Sequence, residues 1–230
     1  MESFLEREVN GKKLVVSYKD DNGNYVYSQE YIDNFIKTYT QLLNSQEKFK
    51  NMGIIYIVGN HKSGKTNLAR HLKSELPHSY LLSFARPMKL ALYRLFGKKF
   101  IESKSPEARL LLQAYGEAKR AQTNGNYFIK VFYNVLEKEK LNIKYVIVDD
   151  VYHLNERLFL NLFPNKVEIL LKNNTSFSQE ELNRVSVKEL SILLKTSDPD
   201  ITLHPQGVYY GIAERIQTLL KIGGEVDKTS

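Results

Sequence analysis

Gly53-Ile54-Ile55-Tyr56-Ile57-Val58-Gly59-Asn60-His61-Lys62-Ser63-Gly64-Lys65-Thr66 decides how this chain is read. Its first half, Ile54–Val58, is an unbroken apolar, β-branched run, the pattern of a strand buried on both faces. Its second half matches G-x-x-x-x-G-K-[ST] from Gly59 to Thr66. The pattern gains weight because a buried strand precedes it and a helical pattern over 65–75 follows it. Gly59 and Gly64 let the backbone wrap with its N–H groups pointing inward. Together with the N-terminus of the next helix, those donors make a preformed anion site. In that site Lys65 reaches β- and γ-phosphates and the Thr66 hydroxyl faces Mg²⁺. Asn60, His61, Lys62 and Ser63 line the loop. His61 either contacts a phosphate or fills a variable position. The structural alternative is an ordinary strand–turn–helix with a surface lysine.

Working outward, further apolar runs lie at Tyr80–Leu82, Tyr145–Val148, Val167–Leu171 and Ile201–Leu203. Helical periodicity separates them, over 65–75, 86–96, 106–121, 127–140, 154–161 and 208–221. Strands alternating with helices predict an α/β fold with a five-stranded parallel sheet and helices on both faces. The polar stretch 172–199 holds Ser178-x-x-Glu181 and Ser186-x-x-Glu189, readable as capping boxes opening short helices. The stretch reads as a lid. Ahead of the sheet, 14–18 and 25–27 flank Asn22-Gly23, which predicts a hairpin turn there. A helix over 29–46 follows, with Tyr31, Ile32, Phe35, Tyr39, Leu42 and Leu43 at helical spacing. Residues 1–50 thus read as a hairpin–helix appendage to a domain spanning 51–230.

The chain has 230 residues, 33 Lys and Arg against 26 Asp and Glu, and a net charge of +7. That length suffices for a core without covalent staples. It has no cysteine, which excludes disulfides, thiolate metal sites and cysteine nucleophiles. No apolar run is long enough to span a membrane, and the acidic first residues lack the order of a signal peptide. A cytoplasmic protein is expected, with no membrane partner. Residues 51–140 hold 16 basic and 6 acidic residues, which points to a polyanionic ligand or a solvated lysine-rich surface. No nucleic-acid signature accompanies the charge, so nucleic acid is not the expected partner.

An acid at the end of a neighbouring strand would complete a Mg²⁺ site. Val146-Ile147-Val148-Asp149-Asp150 supplies two candidates. Successive strand residues point to opposite faces, so one of the two is expected to face the loop. A polar strand terminus is the plain alternative. Neither acid precedes a glutamate, which favours transfer to a bound acceptor over ATP hydrolysis.

Beyond the loop, several segments in order resemble the phage-type deoxynucleoside monophosphate kinases of the P-loop nucleotide kinase group. The resemblance covers about residues 53–221. It rests on Ser83-Phe84-Ala85-Arg86-Pro87-Met88-Lys89, Leu111-Leu112-Gln113-Ala114-Tyr115-Gly116, Tyr127-Phe128-Ile129-Lys130, Asp150-Val151…Asn155-Glu156, and Asp200-Ile201-Thr202-Leu203…Gly207. It implies a P-loop NTPase/nucleotide kinase fold using ATP and Mg²⁺, with a small nucleotide as acceptor. It implies Lys65, Arg120 and Asp150 as catalytic residues, and Thr66, Asp149 and Asp150 at the metal. It places Arg86, Lys89 and Arg120 on acceptor phosphates, Phe84 and Gln113 at the acceptor base, Arg184 in the lid, and Gly207 beside the donor base. Phe84 reads equally as core and Gln113 as a helix-surface amide. Resemblance to phage enzymes implies a phage origin and a bacterial host cytoplasm.

The chain departs from the family at Tyr152, where the family has arginine. Its lid lacks the usual histidine–acid cluster, and residues 1–50 have no counterpart. Those residues read as a homodimer surface, a protein-docking element or a cap on the sheet. Three readings follow. One is a nucleoside monophosphate kinase. The second is a catalytically degenerate nucleotide-binding or interaction protein. The third is a nucleic-acid-associated ATPase.

Overall fold

A computed structural model describes residues 3–103, 105–138, 143–172, 177, 179–182, 184–205 and 209–220. The chain divides into two compact units, Met1–Leu81 with Asn142–Ser230, and Leu82–Leu141.

The first unit opens with an antiparallel pair, β1 (Phe4–Val9) and β2 (Lys12–Tyr18). The turn joining them is Asn10-Gly11, with φ of +47° and +77°. Positive φ at both central residues suits a two-residue hairpin. This corrects the expected hairpin. Asn22-Gly23 carries only an isolated Lys19–Tyr25 bridge, closed by Asp20, whose carboxylate accepts from the Asn22 and Asn24 N–H groups. Then come α1 (Gln29–Asn44), N-capped by Ser28, and the short α2 (Glu47–Lys50). Helix α1 buries Ile32, Phe35, Tyr39 and Leu43, with Tyr39 edge-on to Phe159 at 5.1 Å between ring centroids.

The sheet begins with β3 (Gly53–Gly59), followed by α3 (Lys65–Glu75) and β4 (Ser79–Leu81). After the second unit come β5 (Tyr145–Val148), α8 (Leu154–Asn161), β6 (Lys166–Leu171), α9 (Gln179–Leu182), α10 (Val185–Thr196), β7 (Ile201–Leu203) and α11 (Ile212–Leu220). The second unit supplies α4 (Arg86–Phe96), α5 (Lys98–Glu102), α6 (Pro106–Gln122) and α7 (Tyr127–Lys138). Strand order is β4-β5-β3-β6-β7, all parallel. The expected five-stranded parallel α/β sheet is therefore present. Every residue of β3 is buried, as a central strand with covered faces requires.

One face of the sheet packs Ile55, Ile57, Ile147, Val167 and Ile169 against Leu68 and Leu72 of α3 and Ile212 and Ile216 of α11. From β3 the chain crosses to one side of the sheet and from β6 to the other. Ligands in open α/β sheets bind outside the strand C-termini where the connections diverge in this way.

A polar network centred on the buried Glu168 ties β3, α8 and β6 together. Glu168 Oε2 accepts from Tyr56 Oη at 2.7 Å and from Arg157 Nη2 and Nε at 2.9 and 3.2 Å. Ser197 Oγ donates to its other oxygen. Asn161 Nδ2 donates to Tyr56 Oη at 2.7 Å.

In the second unit, Phe84 stacks on Phe132 with 4.4 Å between centroids. Helices α4 and α6 approach closely at Gly116, where an added Cβ would lie 3.3 Å from Met88 Sδ. This unit holds 12 Lys and Arg against 5 Asp and Glu, while the rest of the chain holds 21 of each. The whole net charge of the protein thus belongs to Leu82–Leu141.

Among the described residues, no helix is long and apolar enough to cross a membrane.

Candidate functional site

The loop Gly59–Thr66 leaves the C-terminal end of the buried central strand and enters α3 at Lys65. Gly59 is required by space. A Cβ there would sit 2.8 Å from Ser63 Oγ and 3.0 Å from the Leu171 carbonyl oxygen of the adjoining strand. Gly64 is required by conformation, with φ of +92°. Lys62 also has positive φ, +60°. The loop closes on itself through the Ser63 N–H, which donates to Asn60 O at 3.2 Å. Asn60 and Ser63 are buried, whereas His61 and Lys62 are exposed.

No side chain caps the N-terminus of α3. The first helical N–H groups lack intrahelical partners in any α-helix, so this end suits an anion. Lys65 is 7% exposed. Its Nζ donates to Gly59 O at 2.6 Å and Asn60 O at 2.7 Å. Burial pushes the Lys65 ammonium down to about 8, while the charges of Asp149 and Asp150 act in the opposite direction.

Asp149, the first of the two acids after β5, is bonded to Thr66 at the end of the loop. Thr66 Oγ1 donates to Asp149 Oδ2 at 2.7 Å. A hydroxyl and a carboxylate side by side are hard oxygen donors of the kind Mg²⁺ takes alongside water and phosphate oxygens. Among the described residues, no group of three or more His, Asp and Glu is arranged to hold a metal by itself. The pair would supply two oxygen ligands to such an ion. Asp150 lies next along the chain and is half-buried.

Tyr152 also belongs to this site. Its ring lies over Lys65 Nζ, 5.3 Å from nitrogen to centroid, and stacks on the His61 ring at 5.4 Å. Burial, reinforced by Asp150, Asp149 and Glu156, raises the Tyr152 phenol above its ordinary range, so it stays protonated. The turn bearing it is held by carboxylates. Glu156 Oε2 accepts from the Tyr152 and His153 N–H groups at 3.0 and 3.1 Å. Glu189 Oε2 accepts from the Leu154 N–H at 2.7 Å, with Glu189 Oε1 3.2 Å from His153 Nδ1.

Glu189 corrects an expectation. Ser186-x-x-Glu189 does not form a capping box, because α10 starts at Val185 with Arg184 as its N-cap and no side-chain cap bond. Glu189 is buried and points across to the N-terminus of α8 instead. Its signal in the sequence is an acid on the same helix face as the buried Ile192 and Leu193. Arg184 is exposed at the start of α10. Within the 172–199 stretch, α10 buries Val187, Leu190, Ile192 and Leu193. Ser178 and Gly207 lie outside the described residues.

A cavity of about 620 Å³ opens beside Asn60. Leu170 and Lys172 at the end of β6, Phe177, Leu182, Lys195 and Thr202 line it.

The acceptor-side candidates fall in the second unit. Arg86 and Lys89 are exposed in the first turn of α4, and Gln113 is half-buried on α6. Arg120 stacks its guanidinium on Phe128, 4.6 Å from the ring centroid. Phe84 is 2% exposed and gives one ring face to Phe132, the packing of a core residue.

No family model matches the sequence, and no curated protein matches it. Among solved structures, the Mycobacterium tuberculosis APS kinase is similar at 13% identity and a TM-score of 0.37, over 74% of this chain and 98% of that one. A Chloroflexus aurantiacus protein provisionally described as a kinase gives 15% and 0.42, over 75% and 98%. The Deinococcus radiodurans tunicamycin resistance protein gives 14% and 0.37, over 75% and 97%. At these TM-scores the chemistry rests on the chain's own residues.

Proposed function

We propose that the protein transfers a phosphoryl group from ATP, with Mg²⁺, to a nucleoside or deoxynucleoside monophosphate. The observation that carries this reading is the Thr66–Asp149 pair at 2.7 Å, set beside Lys65 in a glycine loop after a fully buried strand. Phosphoryl transfer asks the protein chiefly for positioning and charge neutralisation. The loop N–H groups and the start of α3 hold the donor phosphates. Lys65 exchanges two loop carbonyls for phosphate oxygens. Thr66 and Asp149, with Asp150 next to them, hold Mg²⁺, which when bound neutralises charge on the donor phosphates. The cavity beside Asn60 has room for the base and ribose of a nucleotide whose phosphates lie in the loop. Arg86, Lys89 and Arg120 are assigned to the acceptor phosphate, and Gln113 to its base, whereas Phe84 belongs to the core of this unit. The +7 charge of the unit that carries them supports an anionic acceptor.

One observation favours a second reading, a nucleotide-binding protein without transfer activity. Tyr152 offers an aromatic ring where transfer would benefit from a guanidinium. A coupled assay with ATP and every NMP and dNMP separates the two. The kinase reading expects ADP and a nucleoside diphosphate, with Lys65→Ala lowering turnover by about a hundredfold or more. ATP binding without turnover on any acceptor supports the second reading. ATP turnover that depends on added DNA or RNA refutes both.

A further inference from the structure

We infer that Tyr152, backed by His61, is a positioning residue for Lys65. Its ring holds the ammonium against the loop's own carbonyls in the nucleotide-free protein and so competes with incoming phosphate. This rests on the reading of Gly59–Thr66 as a phosphate site.

The Lys65 ammonium is satisfied from within the chain. Two of its protons go to Gly59 O and Asn60 O, and the Tyr152 ring lies over it at 5.3 Å. An aromatic face attracts a cation more strongly as water is excluded, and Lys65 is only 7% exposed. The ring is itself braced. On one side the His61 ring stacks on it at 5.4 Å with 27° between planes. On the other, its backbone N–H is bound to Glu156. The following residues are bound to Glu156 and to Glu189 of α10.

A phosphate that enters the loop must draw Lys65 Nζ away from both carbonyls and off the ring. The ring favours the nucleotide-free arrangement, and a partner that favours one state lowers the apparent affinity of any ligand that needs the other. The effect is confined to ligands that reach Lys65. ATP and pyrophosphate feel it, whereas adenosine does not. Tyr152 thereby sets how tightly the phosphate tail is held, without contact to the base.

The test is calorimetric binding of ATP, pyrophosphate and adenosine to the full chain and three variants. Tyr152→Phe keeps the ring and should bind ATP and pyrophosphate within about twofold of wild type. Tyr152→Ala and Tyr152→Leu remove the aromatic face, the latter with most of the apolar volume retained. Both should bind ATP and pyrophosphate about 3- to 30-fold more tightly, the range expected for a cation–aromatic contact. Adenosine affinity should not change. Weaker ATP binding by Tyr152→Leu, or by Tyr152→Phe alone, overturns the inference and makes Tyr152 a ligand contact. Unchanged ATP binding in folded Tyr152→Leu also overturns it. If no form binds ATP or pyrophosphate, the phosphate-site reading itself fails, and this inference with it.

Discussion

The Arg157–Glu168 pair sits under the central strand, and removing one partner should cost far more than removing both. Arg157 and Glu168 are 1% and 0% exposed. Glu168 accepts two bonds from Arg157, one from Tyr56 and one from Ser197. In Arg157→Met the carboxylate stays buried, with two neutral hydroxyls left to face it. Breaking a buried pair on one side costs about 3–5 kcal/mol. For a chain of this size each kcal/mol lowers Tm by roughly 2–4 °C, so a fall of about 6–20 °C is expected. Glu168→Met should also fall, because it leaves the Arg157 guanidinium buried without its carboxylate. The double variant Arg157→Met/Glu168→Met removes both charges and both desolvation penalties. It should lie within about 2 kcal/mol of wild type, since apolar replacement of a whole pair is often neutral. Urea denaturation of the four proteins, checked for equal m-values, gives the coupling energy directly. Two results would refute the reasoning. One is an Arg157→Met protein as stable as wild type. The other is a double variant whose loss equals the sum of the single losses.

Two further outcomes concern the loop. Gly59→Ala should destabilise by about 1–3 kcal/mol, because two of its three close contacts are to Leu171 in the neighbouring strand and only Ser63 can turn aside. Thermal melts of Gly59→Ala and of Gly59→Ala/Ser63→Ala check this, with at most a partial rescue expected. Lys65 should make stability depend on pH. Its folded value, about 8, lies below the ordinary 10.5, so the native state bears the full cost of a buried ammonium below about pH 8. Between those values the unfolded chain holds a proton that the native protein has lost, and stability rises with pH. The contribution is on the order of 3 kcal/mol at ~1.4 kcal/mol per pKa unit. Without nucleotide or Mg²⁺, Lys65→Met should therefore gain on wild type most at pH 7 and least at pH 10. A pH-independent difference in urea midpoints would contradict this.

Much of the frame could be read from the chain. The helices 65–75, 86–96 and 154–161 begin and end where periodicity places them. The five sheet strands fall on the five apolar runs. The hairpin was misplaced because two Asn-Gly pairs compete. Residues 14–18 and 25–27 are rich in Val and Tyr, whereas Phe4–Val9 carries three charges and does not look like a strand. Register settled it, since β2 pairs backward onto β1 through Asn10-Gly11. In the sequence Glu189 reads as a local cap, because a capping box is a short-range pattern. Its true partners lie 35 and 36 residues away.

By itself, the sequence determined the elements and the loop. Both depend on contacts between near neighbours: alternation and periodicity of apolar residues, and glycines where the backbone must turn. Tertiary structure alone decided that Asp149 meets Thr66, that Arg157 and Glu168 neutralise each other in the core, and that Tyr152 covers Lys65. It also placed the whole +7 in one unit, Leu82–Leu141. Those outcomes turn on which strand ends lie side by side and which charged groups lose their water together. Such juxtapositions are set by the order β4-β5-β3-β6-β7, which no short stretch of residues encodes.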